Sequence, residues 1–166
     1  MKINWPWSKP KDNWWMLAAS ILVAQAAGGL GSLFTFSAIP TWYVTLSKPF
    51  FSPPNWVFGP VWTLLYTFMG ISAYLVWRKL QFSKNSLPFW HVYWTQLVLN
   101  ALWSIMFFGA KFTGLAFIEI LAMWYFIARS IQEGQKIDKW AGYLLYPYIA
   151  WVSFASLLNL SIWFLN

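Results

Sequence analysis

The segment that decides the fold is the uncharged run PFFSPPNWVFGPVWTLLYTFMGISAYLVW, which covers residues 49–77. Its second half is apolar and long enough to cross the roughly 30 Å of bilayer hydrocarbon as a helix. Its first half is rich in proline, which removes a backbone donor and disturbs the preceding helical turn. The run therefore predicts a membrane helix that starts in an irregular segment rich in aromatic residues.

The composition of the whole chain agrees with a membrane location. Of its 166 residues, 60% are hydrophobic and 9% are charged, which is too little polar surface for a soluble protein of this size. Further uncharged runs cover residues 13–47, 85–110 and 140–166, and only Glu119 interrupts residues 112–128. Strict alternation of polar and apolar residues, the β-barrel pattern, is absent. We predict an all-α integral membrane protein with five transmembrane helices in one bundle.

The uncharged runs also place the helices and their connections. We expect one domain over residues 1–166, with helices at approximately 14–37, 54–78, 89–108, 112–131 and 140–164. The connection between the first two helices, residues 39–54, is the longest, and long ordered loops are more often functional than short ones. The other connections are short, so consecutive helices are expected to be antiparallel neighbours.

Basic residues predict the orientation of the bundle. All 11 Lys and Arg residues except Lys48 and Lys111 lie before the first span, between the second and third, or between the fourth and fifth. Short cytoplasmic loops carry the excess of positive charge, so the N-terminus is expected in the cytoplasm and the C-terminus outside. A nucleic-acid interface would instead form one contiguous basic patch, and no nucleic-acid partner is expected.

Small residues on the first predicted helix favour close helix packing. Ala24, Gly28 and Ser32 recur at four-residue spacing. Such a stripe lets two helices approach closely within lipid. Packing inside the chain is the favoured interpretation, and the seam of a homodimer is the alternative.

The 15 tryptophans fall into two groups. The larger group lies near the ends of the predicted spans, where indole rings favour the membrane–water interface; it comprises Trp5, Trp7, Trp14, Trp15, Trp77, Trp90, Trp94 and Trp140 on the inner side, and Trp42, Trp56 and Trp163 on the outer side. The deeper group consists of Trp62, Trp103, Trp124 and Trp151. An indole N–H in hydrocarbon still requires a hydrogen-bond partner, so the deeper group points to interhelical hydrogen bonds or to a cavity.

One face of the third predicted helix carries a polar and aromatic stripe. Gln96, Asn100, Trp103 and Phe107 follow each other at spacings of three and four residues. The stripe is consistent with interhelical hydrogen bonding and equally with the wall of a cavity, and the residues by themselves leave both interpretations open.

The residues give little support for acid–base or metal catalysis. Cysteine is absent and His91 is the single histidine, so no metal site is expected. Glu119 is the only acidic residue inside a predicted span, which excludes paired carboxylates and a Ser-His-Asp triad. A structural role for Glu119 is favoured, with a functional role as the alternative. His91, beside Trp90, is interpreted as an interfacial residue rather than a haem-iron ligand.

Three segments are specific enough to indicate a family. They are WYVTLSKPFFSPPNWVFGPVWTLLYTFMG (residues 42–70), QLVLNALWSIMFFG (96–109) and AGYLLYPYIAWVSFASLLN (141–159). Together they resemble the translocator protein family, also called tryptophan-rich sensory proteins or peripheral-type benzodiazepine receptors. The resemblance implies a five-helix bundle, commonly a homodimer, with a ligand cavity beneath the loop between the first two helices.

The resemblance further implies a membrane receptor for tetrapyrroles (protoporphyrin IX, haem) and for synthetic isoquinoline carboxamides or benzodiazepines, with a sensory or transport role. By motif position the ligand-binding residues are Tyr43, Pro53, Trp62, Tyr66, Asn100, Trp103, Ser104, Phe107, Trp151 and Ala155. No cofactor is required, the other partners are membrane lipid or another hydrophobic small molecule, and a bacterial cell membrane is the expected location. The final segment LLNLSIWFLN lacks the tyrosine and the base of the sterol motif of animal members, so cholesterol is not expected as native ligand.

Two other functions stay open at this stage. In the first, the chain is an enzyme that degrades protoporphyrin IX with light and oxygen; the porphyrin is then the substrate, and Trp62 and Trp151 are the catalytic residues. In the second, it is a structural membrane subunit. Aromatic rings suit a flat porphyrin by stacking or edge contact, and its propionates require donors such as Lys48.

Overall fold

The computed structural model describes residues 13–166. This part of the chain contains five helical segments long and apolar enough to cross a membrane, Trp14–Ala38, Asn55–Leu80, Lys84–Gly109, Thr113–Ile137 and Lys139–Leu165, and no strand. The predicted fold class, a five-helix membrane bundle, is confirmed. The predicted interfacial positions of Trp5 and Trp7, and the three lysines before the first span, lie outside the described residues.

Six α-helices build the five spans. They are α1 (Trp14–Ala38), α2 (Phe58–Leu80), α3 (Leu87–Ser104), α4 (Thr113–Ile137), α5 (Lys139–Tyr143) and α6 (Tyr146–Leu165). The fifth span, expected as one helix over residues 140–164, consists of α5 and α6 with a turn between them. Pro147 explains the break: it lacks the N–H that a continuous helix needs and fits the first turn of a new helix.

The proline-rich entrance of the second span is a late helix start. A 3₁₀ turn at Asn55–Val57 comes first, and α2 begins at Phe58. Pro60 therefore lies in the first helical turn, where the backbone N–H groups have no intrahelical partner in any case. This position of Pro60 accommodates the missing N–H without a kink in the helix interior.

The helices form a closed ring. α1 packs against α2 and α3, α3 packs against α4, α4 packs against α5 and α6, and α2 contacts α5. Lipid is as apolar as leucine, so close packing and hydrogen bonds, rather than burial from water, hold such a ring together. Gly70 of α2 shows how close the packing is, because a Cβ atom added there would lie 2.8 Å from the backbone nitrogen of Ile21 in α1.

The last turn of the third span is a π-helix, Ile105–Gly109. The N–H of Ala110 donates to the carbonyl oxygen of Ile105 at 2.7 Å, which is the wider i→i+5 bond. The consecutive residues Phe107 and Phe108 are both buried, with ring centroids 4.9 Å apart. The wide turn thus directs two neighbouring aromatic rings into the bundle.

The indole rings largely follow the predicted interfacial pattern. Trp14, Trp140 and Trp163 near the helix ends are 80%, 59% and 45% exposed. Trp90 differs, since it is buried and its Nε1 donates to the carbonyl oxygen of Gln81 and to the hydroxyl of Ser86. Trp90 therefore fixes the connection between α2 and α3 rather than facing lipid headgroups.

Asp138 connects the corner between α4 and α5 to the end of α2. Its carboxylate accepts from the backbone N–H of Trp140 at 2.8 Å, as an N-cap of α5, and lies 3.0 Å from Lys79 Nζ. Burial alone would raise the pKa of Asp138, but the Lys79 ammonium, the Trp140 N–H and the charge of Arg78 outweigh it, so the pKa lies below its usual value. The charged form of Asp138 therefore stabilises the fold.

We expect Asp138→Ala to lower the free energy of unfolding by about 1–2 kcal/mol at pH 7, from a lost cap and a partly exposed ion pair. Asp138→Asn keeps a capping oxygen and is expected to lose less. The pKa of Asp138 in the folded protein lies below its value of about 3.9 in the unfolded chain. The carboxylate therefore contributes its full stabilisation of the fold above about pH 3.9, and this stabilisation disappears as the pH falls through the folded-state pKa. Thermal unfolding in detergent from pH 7 to pH 3 measures this. A difference between wild type and Asp138→Asn that does not shrink at low pH would contradict the assignment.

Candidate functional site

A cavity with a volume of about 440 Å³ lies between α1, α2 and the end of α3. We call it the α1–α2 cleft. It occupies the half of the bundle next to the connection of residues 39–57. The volume falls within the range of about 300–1,000 Å³ that is usual for small-molecule sites.

Helix α1 supplies one wall of the α1–α2 cleft, and most of the side chains there are small or polar. They are Gln25, Gly28, Gly29, Ser32, Thr35, Phe36 and Ile39. A Cβ atom added to Gly28 would lie 2.6 Å from the Tyr66 ring, whereas one added to Gly29 would meet nothing within 4 Å. Glycine at position 28 therefore permits helix contact, and Gly29 faces open space.

Helix α2 and the turn before it supply the opposite wall, with Asn55, Trp56, Phe58, Gly59, Trp62, Thr63 and Tyr66. The Trp62 ring stacks on Tyr66 with centroids 5.5 Å apart and meets Tyr148 edge-on at 6.2 Å. Trp56 lines the same cleft but is 74% exposed. The late start of α2 thus leaves Trp56 at the surface and directs Trp62 into the bundle.

A hydrogen-bond network fixes the deep end of the α1–α2 cleft. The Tyr66 hydroxyl donates to Asn100 Oδ1, and Asn100 Nδ2 donates to the Tyr148 hydroxyl at 2.9 Å. All three residues are buried. Asn100 itself does not line the cleft. Its hydrogen bond fixes the orientation of the Tyr66 phenol, which does line the cleft.

The third wall comes from the end of α3 and its π turn, with Trp103, Ser104 and Phe108. Trp103 Nε1 donates to Asn159 Oδ1 at 3.1 Å, and Asn159 Nδ2 donates to the Thr113 carbonyl oxygen at 2.8 Å. This chain of bonds satisfies the indole N–H within the membrane and fixes its orientation. The polar and aromatic stripe of α3 therefore provides both hydrogen bonds and a cavity wall.

A second, much smaller void of about 20 Å³ lies deeper, under the loop. We call it the loop void. Among its lining residues are the predicted site residues Tyr43, Trp103, Phe107 and Ala155. Tyr43 is 2% exposed; burial raises the pKa of its phenol, and the Ser52 hydroxyl partly offsets that effect. Tyr43 therefore keeps its proton at neutral pH and is available as a hydrogen-bond donor.

The loop that covers this end is held by the last residue of the chain. Asn166 accepts from the backbone N–H of Ser47 at 2.9 Å and donates to the Ser47 carbonyl oxygen at 3.0 Å. Lys48, suggested above as a partner for propionates, lies 4.8 Å above the Tyr43 ring, with its ammonium near the carbonyl oxygens of Val44 and Leu46. Lys48 thus contacts its own loop and lines neither cavity.

The structure brings the predicted site residues together only in part. Trp62, Tyr66, Trp103 and Ser104 share the α1–α2 cleft, whereas Pro53 and Trp151 line neither cavity. The Trp151 ring meets Phe58 edge-on at 6.1 Å, and its buried Nε1 has no hydrogen-bond partner within residues 13–166. Trp151 is therefore separated from the cleft by Phe58.

Sequence reasoning missed the wall formed by α1. The stripe of Ala24, Gly28 and Ser32 was interpreted as packing, and Gly28 does pack on Tyr66, but Ser32 and its neighbour Gly29 border open space. Polar Gln25 was the available signal: its amide donates to the Thr63 carbonyl oxygen and to the Thr67 hydroxyl across the helix pair. A polar side chain in the middle of a membrane helix indicates such a contact or a cavity.

Two other intramembrane residues from the sequence analysis lie outside both cavities. Trp124, one of the four deeper tryptophans, is 40% exposed and donates through Nε1 to the Ser153 hydroxyl at 2.8 Å. Glu119 is 8% exposed, and neither of its carboxyl oxygens has a hydrogen-bond partner among residues 13–166.

Comparison with known proteins places these features in a family. The sequence pattern of the TspO/MBR family matches residues 20–164. The chain is 42% identical to the tryptophan-rich protein TspO of Archaeoglobus fulgidus over 90% of this chain and 96% of that protein. It is 37% identical to the human translocator protein over 90% and 89% of the two chains, and 39% identical to a tryptophan-rich sensory protein of Cereibacter sphaeroides over 75% and 77%.

Proposed function

Because this chain belongs to the TspO/MBR family, we propose that it is a membrane receptor that binds tetrapyrroles such as protoporphyrin IX in the α1–α2 cleft. Synthetic isoquinoline carboxamides and benzodiazepines would be competing ligands at the same site. The proposal concerns binding; a sensory or transport role would follow from it.

The observation that carries this proposal is the aromatic surface of the cleft. Trp62 stacked on Tyr66 presents one pair of rings from α2, and Trp103 presents an indole from the end of α3. A porphyrin is flat and aromatic, and each stacked or edge-on ring pair contributes about 0.5–1.5 kcal/mol beyond the burial of area. Two walls rich in aromatic rings therefore suit a planar ligand better than a flexible aliphatic one.

Polar side chains on the lining of the α1–α2 cleft are candidate partners for the propionates of such a ligand. The Ser32 and Thr35 hydroxyls on α1 already donate to backbone carbonyl oxygens of their own helix, whereas Asn55, in the turn before α2, and Ser104, at the end of α3, also border the cleft. Within residues 13–166 no lysine or arginine lines the cleft, so the Asn55 amide and the Ser104 hydroxyl, not an ion pair with Lys48, are expected to bind the carboxylates. Hydrogen bonds from neutral donors are weaker than those from charged groups, so we expect a moderate affinity and the binding of several different ligands.

The cleft also has a lateral opening. Gly29 of α1 and Gly59 and Thr63 of α2 are exposed on either side of it. All three lie within membrane-spanning segments, so the opening faces lipid. Entry from the bilayer is consistent with a hydrophobic ligand that is concentrated there.

The first test uses Trp62→Phe, which keeps a six-membered ring but removes the five-membered ring and the N–H of the indole. Titration of the purified protein with protoporphyrin IX, followed by the porphyrin's own absorbance, is expected to show saturable binding that the variant weakens roughly two- to tenfold, the equivalent of one ring contact. Trp140→Phe is the matched control, because Trp140 is 59% exposed on α5 and lines neither cavity. The absence of saturable binding by the wild type would refute the proposal.

We also propose the orientation that the basic residues predict, with the N-terminus in the cytoplasm. The α1–α2 cleft then lies in the outer half of the membrane, because it adjoins the connection of residues 39–57 between the first two spans. Reaction of single cysteines introduced at Phe50 and at Phe82, which are both exposed loop residues, with a membrane-impermeant thiol reagent measures this. Labelling of position 82 rather than 50 in intact cells would reverse the assignment.

A further inference from the structure

The α1–α2 cleft and the loop void are separated by a single layer of aromatic rings. Phe58, Trp103 and Phe108 line both spaces, one from each side. The loop void itself holds about 20 Å³, which is too small for more than a water molecule. The three rings therefore set the inner limit of the larger cleft.

Two of these rings are held firmly. Trp103 is hydrogen-bonded to Asn159, which is itself bonded to the Thr113 carbonyl oxygen. Phe108 is buried, with Tyr43, Trp103 and Phe107 at centroid distances of 5.8, 5.8 and 4.9 Å. Movement of the Trp103 ring out of the layer would break its hydrogen bond to Asn159.

Phe58 is held less firmly. It is the first residue of α2, directly after the 3₁₀ turn, and it is only partly buried. Its ring meets two aromatic neighbours edge-on, Tyr43 at 6.4 Å and Trp151 at 6.1 Å. Both neighbours belong to the site residues predicted from the sequence; Tyr43 lines the loop void, on the far side of the layer from Trp62, and Trp151 lines neither cavity.

We propose that Phe58 is the size-determining residue of the ligand site, and this rests on the proposed function. With the ring in place, a ligand is limited to the α1–α2 cleft and touches Trp62, Tyr66 and Trp103. When the ring is removed or displaced, the cleft, the loop void and the volume of the phenyl group become one space. A larger planar ligand then reaches Tyr43, Phe107 and Ala155, which the present cleft excludes.

The experiment compares two ligands of different size on the same protein. Protoporphyrin IX is the large probe and an isoquinoline carboxamide is the small one, and the ratio of their affinities is measured. Phe58→Ala is expected to shift this ratio towards protoporphyrin IX, roughly two- to tenfold for each further aromatic ring that the porphyrin reaches. Phe58→Trp, which thickens the layer, is expected to shift the ratio the other way.

Phe36→Ala is the matched control. Phe36 lines the α1–α2 cleft from α1 but does not border the loop void, and it is 74% exposed. Its truncation removes the same atoms without joining the two spaces, so both affinities are expected to change by similar factors. Phe58→Leu, a milder truncation, is measured as well in case the alanine variant does not fold.

The outcomes separate the inference from the function on which it rests. A wild type that binds neither ligand refutes both. Saturable binding of both ligands, with a ratio that Phe58 substitutions leave unchanged or that Phe36→Ala shifts equally, refutes the size limit alone. Opposite shifts for Phe58→Ala and Phe58→Trp, with an unchanged ratio for Phe36→Ala, support it.

Discussion

Replacement of Gly70 by alanine is expected to destabilise the bundle by about 2 kcal/mol. The added methyl group would lie 2.8 Å from the backbone nitrogen of Ile21 and closer still to its Cα atom. Overpacking costs about 1–3 kcal/mol, and contact with backbone leaves no flexible side chain to move aside. The greater helix propensity of alanine offsets up to about 1 kcal/mol of that cost. Thermal unfolding in detergent measures the effect, and a fall in Tm of about 4–8 °C is expected.

Gly29→Ala provides the matched control for this prediction. Gly29 is also a helical glycine in a membrane span, but an added Cβ atom meets nothing within 4 Å. Only the difference in helix propensity then applies, so stability is expected to stay constant or to rise by up to about 1 kcal/mol. Equal Tm values for the two alanine variants would show that α1 and α2 do not cross closely at Gly70.

The second large effect is expected from Asn100→Leu. The substitution removes the acceptor of the Tyr66 hydroxyl and the donor to Tyr148, and leaves two phenols buried without these bonds. An unsatisfied buried polar group costs about 1–3 kcal/mol, whereas single interhelical bonds in membranes average about 0.6 kcal/mol. We expect a loss of about 2 kcal/mol in unfolding free energy, together with weaker porphyrin binding because Tyr66 forms the deep end of the cleft.

Two further variants isolate the role of the buried network. Gln25→Leu removes another interhelical amide, but one whose bonds to Thr63 and Thr67 lie nearer the surface, so a smaller loss is expected. The double variant Tyr66→Phe with Asn100→Leu lacks the Tyr66 hydroxyl that Asn100→Leu alone leaves unpaired. Its loss of unfolding free energy should therefore be less than the sum of the losses of the two single variants. A strictly additive result would mean that Tyr66 and Asn100 are not coupled.

The sequence predicted the fold from a few physical constraints. Apolar length defined the five spans, whereas the second helix was expected from residue 54 and α2 begins at Phe58. The turn between α5 and α6 was missed, although Pro147 was the signal for it, because the surrounding residues are uniformly apolar and no loop composition marks a break. Hydropathy locates a span but does not distinguish one helix from two.

The site was predicted less completely, for a different reason. Large residues such as Trp62 and Trp103 are visible in a sequence, and they do line the cleft. A cavity is harder to predict, because Gly29 and Ser32 contribute to it only through the small size of their side chains. The predicted site residues are divided between the α1–α2 cleft and the loop void. This division depends on the position of the Phe58 ring, which the periodicity of the sequence does not indicate. The homodimer and the native ligand stay predictions of the family resemblance.

The π-helical turn at Ile105–Gly109 suggests how related sites diverge. An α-helix turns by about 100° per residue, so deletion of one residue from this turn would restore α-helical spacing and rotate either Phe107 or Phe108 away from the interior. The shape of the ligand site would then change without any substitution among its lining residues. Here the number of residues in a helical turn, and not only their identity, determines which aromatic rings face the interior.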